Sequence, residues 1–351
     1  MDINAILEAI DGAVWGVPLI VLIIACGVWL TFRVRFLQVR HLGKALKFMV
    51  KNEEGGEGEV TSFGALCTAL SATIGTGNIV GVASAIAAGG PGALFWMLVA
   101  AFFGMATKYS EGLLAIKYRE VDADGHVLGG PFYYIEKGMG KNWKCMGKLF
   151  ALFGVLAGAL GIGTITQING ITSAAQNFFD PDKAHVVFTL AAGTSSETPI
   201  TMTTIVVGLI VTVCAGLVII GGIKRIGRIA SILVPFMSVL FIIMALILIC
   251  MHINHIGSAF AMIFSNIFSF KAAFGGVGGY AFGKIIQKGL ARGVFSNEAG
   301  LGSSVIAHSA SETTEPVKQG LWGIFEVFLD TFVICTLTAL VILTSYSASD
   351  L

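Results

Sequence analysis

Apolar positions fill long stretches of this chain, and those stretches have the length of a bilayer crossing. Segments 14–32, 62–89, 92–116, 148–178, 201–222, 229–251 and 319–345 each run for about 20 residues or more with few charges, which is what a helix needs to span roughly 30 Å of hydrocarbon. A less regular stretch, 256–295, makes an eighth. Its halves, SAFAMIFSNIFSF and YAFGKIIQKGLARGVF, are apolar, but Gly275-Gly276-Val277-Gly278-Gly279 separates them. So many glycines destabilise a continuous helix, and the pattern predicts a broken one.

Composition agrees. Hydrophobic residues make up 55% of the 351 positions and charged residues 12%, where soluble domains carry roughly 25% charged. The fold class is therefore an all-α polytopic membrane protein, with the lipid bilayer as its first partner. The 45 glycines sit mostly inside apolar runs, where small residues let helices approach closely. A net charge of +1 implies neither nucleic acid nor an acidic macromolecule as a partner. Residues 1–12 hold Asp2, Glu8 and Asp11 but no Lys or Arg, so they lack the basic start of a cleavable signal, and the first apolar helix is expected to stay. Cys26, Cys67, Cys214, Cys250 and Cys335 lie in or beside apolar segments without CxxC spacing, which predicts free, buried thiols.

Lys and Arg alternate between loops. Arg33, Arg35, Arg40, Lys44, Lys47 and Lys51 follow the first span; Lys117, Arg119, Lys137, Lys141 and Lys144 follow the third; Lys224, Arg225 and Arg228 follow the fifth. Residues 179–200 carry Asp180, Asp182 and Glu197 against Lys183 alone. The positive-inside bias therefore places the N-terminus outside. The chain divides into a peripheral first helix with its basic cytoplasmic segment (1–51), an acidic linker (52–61), a membrane core (62–345) and a short tail (346–351).

The chemistry concentrates in Leu70-Ser71-Ala72-Thr73-Ile74-Gly75-Thr76-Gly77-Asn78-Ile79, in the middle of the second span. Gly75 and Gly77 each weaken a helix by roughly 1 kcal/mol relative to Ala, and four polar side chains surround them. Non-helical backbone at bilayer depth survives where it is buried or lines a wet cavity, and transporters use it to offer N–H groups to a substrate carboxylate and C=O groups to a cation. The plainer alternative is a close helix crossing through the Gly77/Gly81 GxxxG pair. Gln167 and Asn169 bring neutral amides into the span 148–178. Such amides bind an ammonium or carboxylate without burying an unpaired ion, or they bond another helix; for Asn169 the interhelical bond is the favoured reading.

Lys108, Glu111, Glu326 and Asp330 interrupt apolar runs. Lys108 and Glu111 lie three apart near a cytoplasmic helix end, where an i,i+3 pair or snorkelling accounts for them. Asp330 leaves open a buried partner or a proton or cation role. His252, His255 and His308 read as isolated, with no metal-ligand spacing, and there is no nucleophile elbow or phosphate loop. A channel would show a repeated pore motif or charged rings, and an enzyme would need converging titratable groups. Neither pattern is present, so an enzyme is not expected; a carrier is the favoured reading, and a channel or a proton-coupled small-solute transporter is kept as the alternative.

Three blocks resemble the alanine or glycine:cation symporter family: ALSATIGTGNIVGVASAIAAGGPGALFWMLVAAFFGMATKYSE (69–111), GGPFYYIEKG (129–138), and GLARGVFSNEAGLGSSVIAHSA (289–310) followed by PVKQG (316–320). The resemblance implies a LeuT-type inverted-repeat fold of the APC superfamily, preceded by one extra helix, with span 62–89 as core helix one and 256–295 as core helix six, both broken. It implies sodium-coupled symport of a small amino acid, alanine or glycine, into the cell across the plasma (inner) membrane. Thr73, Thr76, Gly77 and Asn78 would border the amino acid, with Gln167 from core helix three and Phe274 and Gly276 at the second break. Oxygens at Ser71 and Ile74 would face sodium. Such symporters continue through further helices, whereas this sequence stops at Leu351 after core helix seven, so the resemblance implies that the chain lacks the later ones.

The loop charges make a testable statement. A cysteine introduced at Asp182 is expected to react with an impermeant thiol reagent in intact cells while native Cys145 stays protected; the opposite pattern would invert the topology.

Overall fold

The computed structural model describes residues 16–48, 58–161, 163–190, 198–267 and 278–346, with residues 6, 10 and 56. Helix makes up most of it. The elements that position the site are α1 (Val17–Arg33), α2 (Leu42–Phe48), α3 (Ser62–Thr73), α4 (Val82–Gly89), α5 (Ala93–Lys117), α6 (Pro131–Met139), α7 (Lys144–Ala159), α8 (Thr164–Phe179), α9 (Met202–Ile219), α10 (Gly222–Met251), α11 (Ile256–Asn266), α12 (Gly278–Asn297), α13 (Ser303–Ser309), α14 (Pro316–Val327) and α15 (Thr336–Ser345). Wider π-helical turns join α3 to α4 at Gly77–Gly81 and α14 to α15 at Phe328–Cys335. Local sequence sets the starts. The Thr61 hydroxyl accepts from Gly64 N–H at α3 and that of Thr201 from Thr204 N–H at α9, while Pro131 and Pro316 occupy first-turn positions of α6 and α14, where proline costs no hydrogen bond.

Among the described residues, five helical stretches are long and apolar enough to cross a membrane: Ala93–Lys117, Lys141–Phe179, Met202–Ile219, Gly222–Met251 and Pro316–Ser345. The pair Ser62–Thr73 and Gly77–Gly89, bent by 50° between its halves, makes a sixth. The expected span 148–178 falls within the stretch Lys141–Phe179, where it is made of two helices, α7 and α8. Gly161 and Gly163 separate them with φ of +70° and +82°, values that no α-helix holds. The halves of the expected broken span 256–295 are α11 and α12; the stretch between them, 268–277, lies outside the described residues and takes Phe274 and Gly276 with it.

α5 is the axis on which the other helices pack, with α14, α12 and α1 laid along it. Small residues set the spacing: a β-carbon on Gly112 would come 2.8 Å from the Gln319 carbonyl, and one on Gly323 2.7 Å from that of Lys108. One apolar cluster gathers Leu66, Leu70, Met105, Tyr109, Trp322, Ile324 and Phe325, and a second gathers Val82, Leu94, Met97, Ile263, Ala339 and Leu343. α9 and α10 turn large apolar side chains outward, with Leu209 65% and Phe236 66% exposed. That is the arrangement a bilayer accepts and water does not.

The cysteines are free, as expected, but burial divides them. Cys67 and Cys335 are buried, whereas Cys26, Cys214 and Cys250 are exposed, because they stand on helix faces turned away from the packed core. Two short hairpins decorate the ends, Glu120–Val121 with Val127–Leu128 and Val186–Leu190 with Thr198–Thr201. Near the first hairpin, Val60 pairs with Ser311 in a parallel bridge. The Arg119 guanidinium donates to the carbonyls of Ser309, Ser311 and Thr313, so one end of the bundle is laced together through the backbone.

Candidate functional site

The glycines at 75 and 77 interrupt the second span as the sequence predicts. α3 ends at Thr73, and Ile74 adopts extended backbone, φ −82° and ψ 106°. Helix resumes at Gly77. The interruption strips Gly75 and Thr76 of helical partners for their N–H groups, and two side-chain amides replace them. Gly75 N–H donates to Asn78 Oδ1 at 2.8 Å, and Thr76 N–H donates to Gln167 Oε1 at 3.0 Å. The approach of α8 is close: a β-carbon on Gly75 would lie 2.5 Å from Gln167 Nε2, and one on Gly170 2.5 Å from Thr76 Cγ2.

Beside the break lies a cavity of about 540 Å³. Thr73, Thr76, Gly77 and Gly81 line one side. Thr166, Gln167, Asn169, Gly170, Ser173 and Asn177 of α8 line another, with Arg292, Phe295, Ser296 and Glu298 from the end of α12. Thr166, Gly170, Ser173 and Asn177 recur at helical spacing, so one polar or small-residue stripe of α8 faces the cavity. A β-carbon on Gly77 or on Gly81 would meet nothing within 4 Å. These glycines face open space, so the GxxxG pair is not used for a helix crossing.

The structure thus brings Thr73, Thr76, Gly77 and Gln167 around one cavity and adds Asn169, for which an interhelical bond was the favoured reading. Asn78 is placed elsewhere. It is buried on the opposite side of the π-turn, where its Nδ2 donates to Asp330 Oδ1 at 2.6 Å and lies 3.2 Å from Ser296 Oγ. Ser296 and Thr331 hydroxyls donate to Asp330 Oδ2 at 2.8 and 2.7 Å. Asp330 is fully buried and makes no ion pair among the described residues. The Ser71 hydroxyl donates to the Thr68 carbonyl at 2.7 Å on an exposed face, and neither Ser71 nor Ile74 lines the cavity.

A second buried polar group sits behind the first. Lys108 neither snorkels nor pairs with Glu111. It is wholly buried, with Nζ 3.1 Å from Glu326 Oε1 and donating to the Asn297 carbonyl at 2.9 Å. The turn from Lys108 to Glu111 faces two elements, so Glu111 instead accepts from Gly302 N–H at 3.2 Å. His308, which reads as isolated in sequence, is fully buried between the Glu326 carboxylate (Nε2 to Oε2, 3.0 Å) and the Gln319 amide (2.6 Å at Nδ1). The Gln319 amide donates to Nδ1, which leaves the Nε2 hydrogen for Glu326. Asn297 Nδ2 donates to Thr331 Oγ1 at 3.3 Å, so the two groups join. Sequence reasoning missed Ser296, Arg292 and the His308 contacts; the usable signal was that a lysine deep in an apolar run demands a carboxylate from another span.

This pairing sets a stability expectation. Glu326→Gln leaves the Lys108 ammonium buried without its counter-charge and is expected to cost about 3–5 kcal/mol, whereas combining it with Lys108→Met removes the stranded charge and recovers a large part. Melting in detergent checks it: a single variant as stable as the parent would contradict the pairing.

Comparison with known proteins agrees with this architecture. The sequence profile of the sodium:alanine symporter family matches residues 1–350. An uncharacterized transporter of Haemophilus influenzae is 48% identical over 342 residues, which is 97% of this chain and 70% of that protein. The sodium/alanine symporter AgcS of Methanococcus maripaludis is 45% identical over 346 residues, 97% of this chain and 71% of that one. The probable sodium/glutamine symporter GlnT of Bacillus subtilis is 39% identical over 345 residues, 97% of this chain and 66% of that one. With a broken membrane helix opening on a polar cavity and a family profile matched over almost its whole length, this chain belongs to the sodium:alanine symporter family, whose members are transporters and not enzymes.

Proposed function

We propose that this protein carries a small neutral amino acid, alanine or glycine, into the cell across the plasma membrane in symport with sodium, and that it does so in a LeuT-type arrangement with the helix pair 62–89 as core helix one. The observation that carries the reading is the break itself. Its glycine, Gly77, opens onto a polar cavity, while on the other side of the same turn Asn78 reaches a buried carboxylate, Asp330, that has no ion pair among the described residues. Amino acid and cation would then bind on two faces of one irregular turn. Whatever occupies one face shifts the backbone that forms the other, which is the physical content of coupling.

In this reading Thr73, Thr76, Gly77 and Gln167 border the amino acid. Oxygens at Ser71 and Ile74 remain candidates for the cation, but Asp330 with Ser296 and Thr331 offers what neutral oxygens lack, a full negative charge in a medium that makes an unpaired one expensive. The hydroxyls that now donate to the carboxylate can rotate and present lone pairs to an ion. The polar stripe of α8 and the size of the cavity also leave room for a longer, amide-bearing side chain. A substrate such as glutamine, which gives the probable sodium/glutamine symporter of Bacillus subtilis its name, is therefore the second reading, and competition against alanine decides between them.

The test is alanine binding by calorimetry to the reconstituted chain, in sodium and in choline. Sodium is expected to tighten binding by roughly 5- to 150-fold, the usual range of such coupling. Gly77→Val places its β-carbon in open space at the cavity and is expected to abolish binding while preserving folded yield. Asp330→Asn is expected to remove the sodium response. A full sodium response in that variant would return the cation to the oxygens at Ser71 and Ile74, and unchanged binding by the Gly77 variant would remove the amino acid from this cavity.

A further inference from the structure

The N–H groups exposed by the helix break are the usual landing point for a substrate carboxylate, yet here those of Gly75 and Thr76 are engaged. Gly75 N–H is held by Asn78 Oδ1 and Thr76 N–H by Gln167 Oε1. That leaves the break few main-chain donors for a carboxylate, and among the described residues lining the cavity Arg292 is the one cationic side chain. Arg292 stands on α12, half-buried, with its guanidinium 5.9 Å from the centre of the Phe295 ring. No carboxylate pairs with it among the described residues. An unpaired cation facing a cavity inside a membrane protein is costly to keep and marks a functional position. A guanidinium over an aromatic face is restrained in orientation while its donor fork stays free, and that fork matches a carboxylate through two parallel N–H···O bonds. Glu298 lines the same cavity and accepts from the Ser303 hydroxyl; its second oxygen supplies the opposite sign for the ammonium end of a zwitterion.

We propose that Arg292 binds the carboxylate of the amino acid in this cavity, so that a charged side chain selects for a free carboxylate. The inference rests on the reading of this cavity as the amino acid site and deepens it. It makes Arg292 a specificity-determining residue for α-amino acids over their amides.

The experiment compares L-alanine with L-alaninamide, which keeps the ammonium and lacks the carboxylate, by calorimetry in sodium on the reconstituted chain and on Arg292→Gln and Arg292→Lys. The unsubstituted protein is expected to bind alanine and to bind alaninamide at least tenfold more weakly. Arg292→Gln is expected to lose alanine affinity at least tenfold and, with it, the preference over the amide. Arg292→Lys keeps the charge without the fork and is expected to fall between them with an unaltered melting temperature. This variant keeps the test decisive if the glutamine variant folds poorly, because a purely structural arginine would leave the alanine-to-alaninamide ratio unchanged. A variant that binds alanine with the parental Kd and still rejects the amide overturns the inference alone. Failure of the unsubstituted protein to bind any amino acid overturns the functional reading, and this inference with it.

Discussion

Two main-chain N–H groups without helical partners, at Gly75 and Thr76, are the constraint on which the site depends. Inside a membrane an unsatisfied backbone group costs several kcal/mol, so a break in the second span can exist only where something else accepts those hydrogens. Asn78 and Gln167 accept them. Each amide then fixes a further relation. Gln167 ties α8 to the break, and α8 arrives with its polar stripe turned to the cavity. Asn78 spends its carbonyl oxygen on Gly75, and its amino group is thereby aimed at Asp330.

That second contact joins two irregular turns, Gly77–Gly81 and Phe328–Cys335. π-Turns shift the register of the residues that follow them and are common at functional sites; here they place one amide and one carboxylate 2.6 Å apart. Behind them the chain Asn297, Lys108, Glu326, His308 and Gln319 is buried and bonded throughout. Such groups contribute little net stability against an apolar core, but removing one partner leaves a charge stranded. The network therefore fixes the relative placement of α5, α13 and α14 more than it strengthens their packing.

Much of this was legible in the sequence. The apolar runs located the spans because a bilayer imposes both length and composition, and the Gly75/Gly77 pair located the break because two glycines beside polar residues cannot be explained by helix stability. Thr73, Thr76, Gly77 and Gln167 meet around one cavity. What the sequence did not show depends on distances across more than 200 residues. Asn78 faces Asp330 and not the cavity because a π-turn rotates it away, and no periodicity argument anticipates an extra residue in a turn. Lys108 and Glu111 share a helix face, which suggested each other as partners; tertiary packing supplied nearer ones, Glu326 for the lysine and Gly302 for the carboxylate. Gly77 and Gly81 form a pattern that usually means a helix crossing, and only the open space around them shows that here they face a cavity.

The proposed place of the amino acid is the cavity between the Gly77 turn and α8. The most direct measurement is an experimental structure of the chain in a lipid nanodisc at saturating alanine and sodium. The account predicts density for a small zwitterion lying against Gly77 and Gln167, with Asn78 still bonded to Asp330. Density for the amino acid at any other place, or helices closed over Gly77 and Gly81 with no room between, would contradict it.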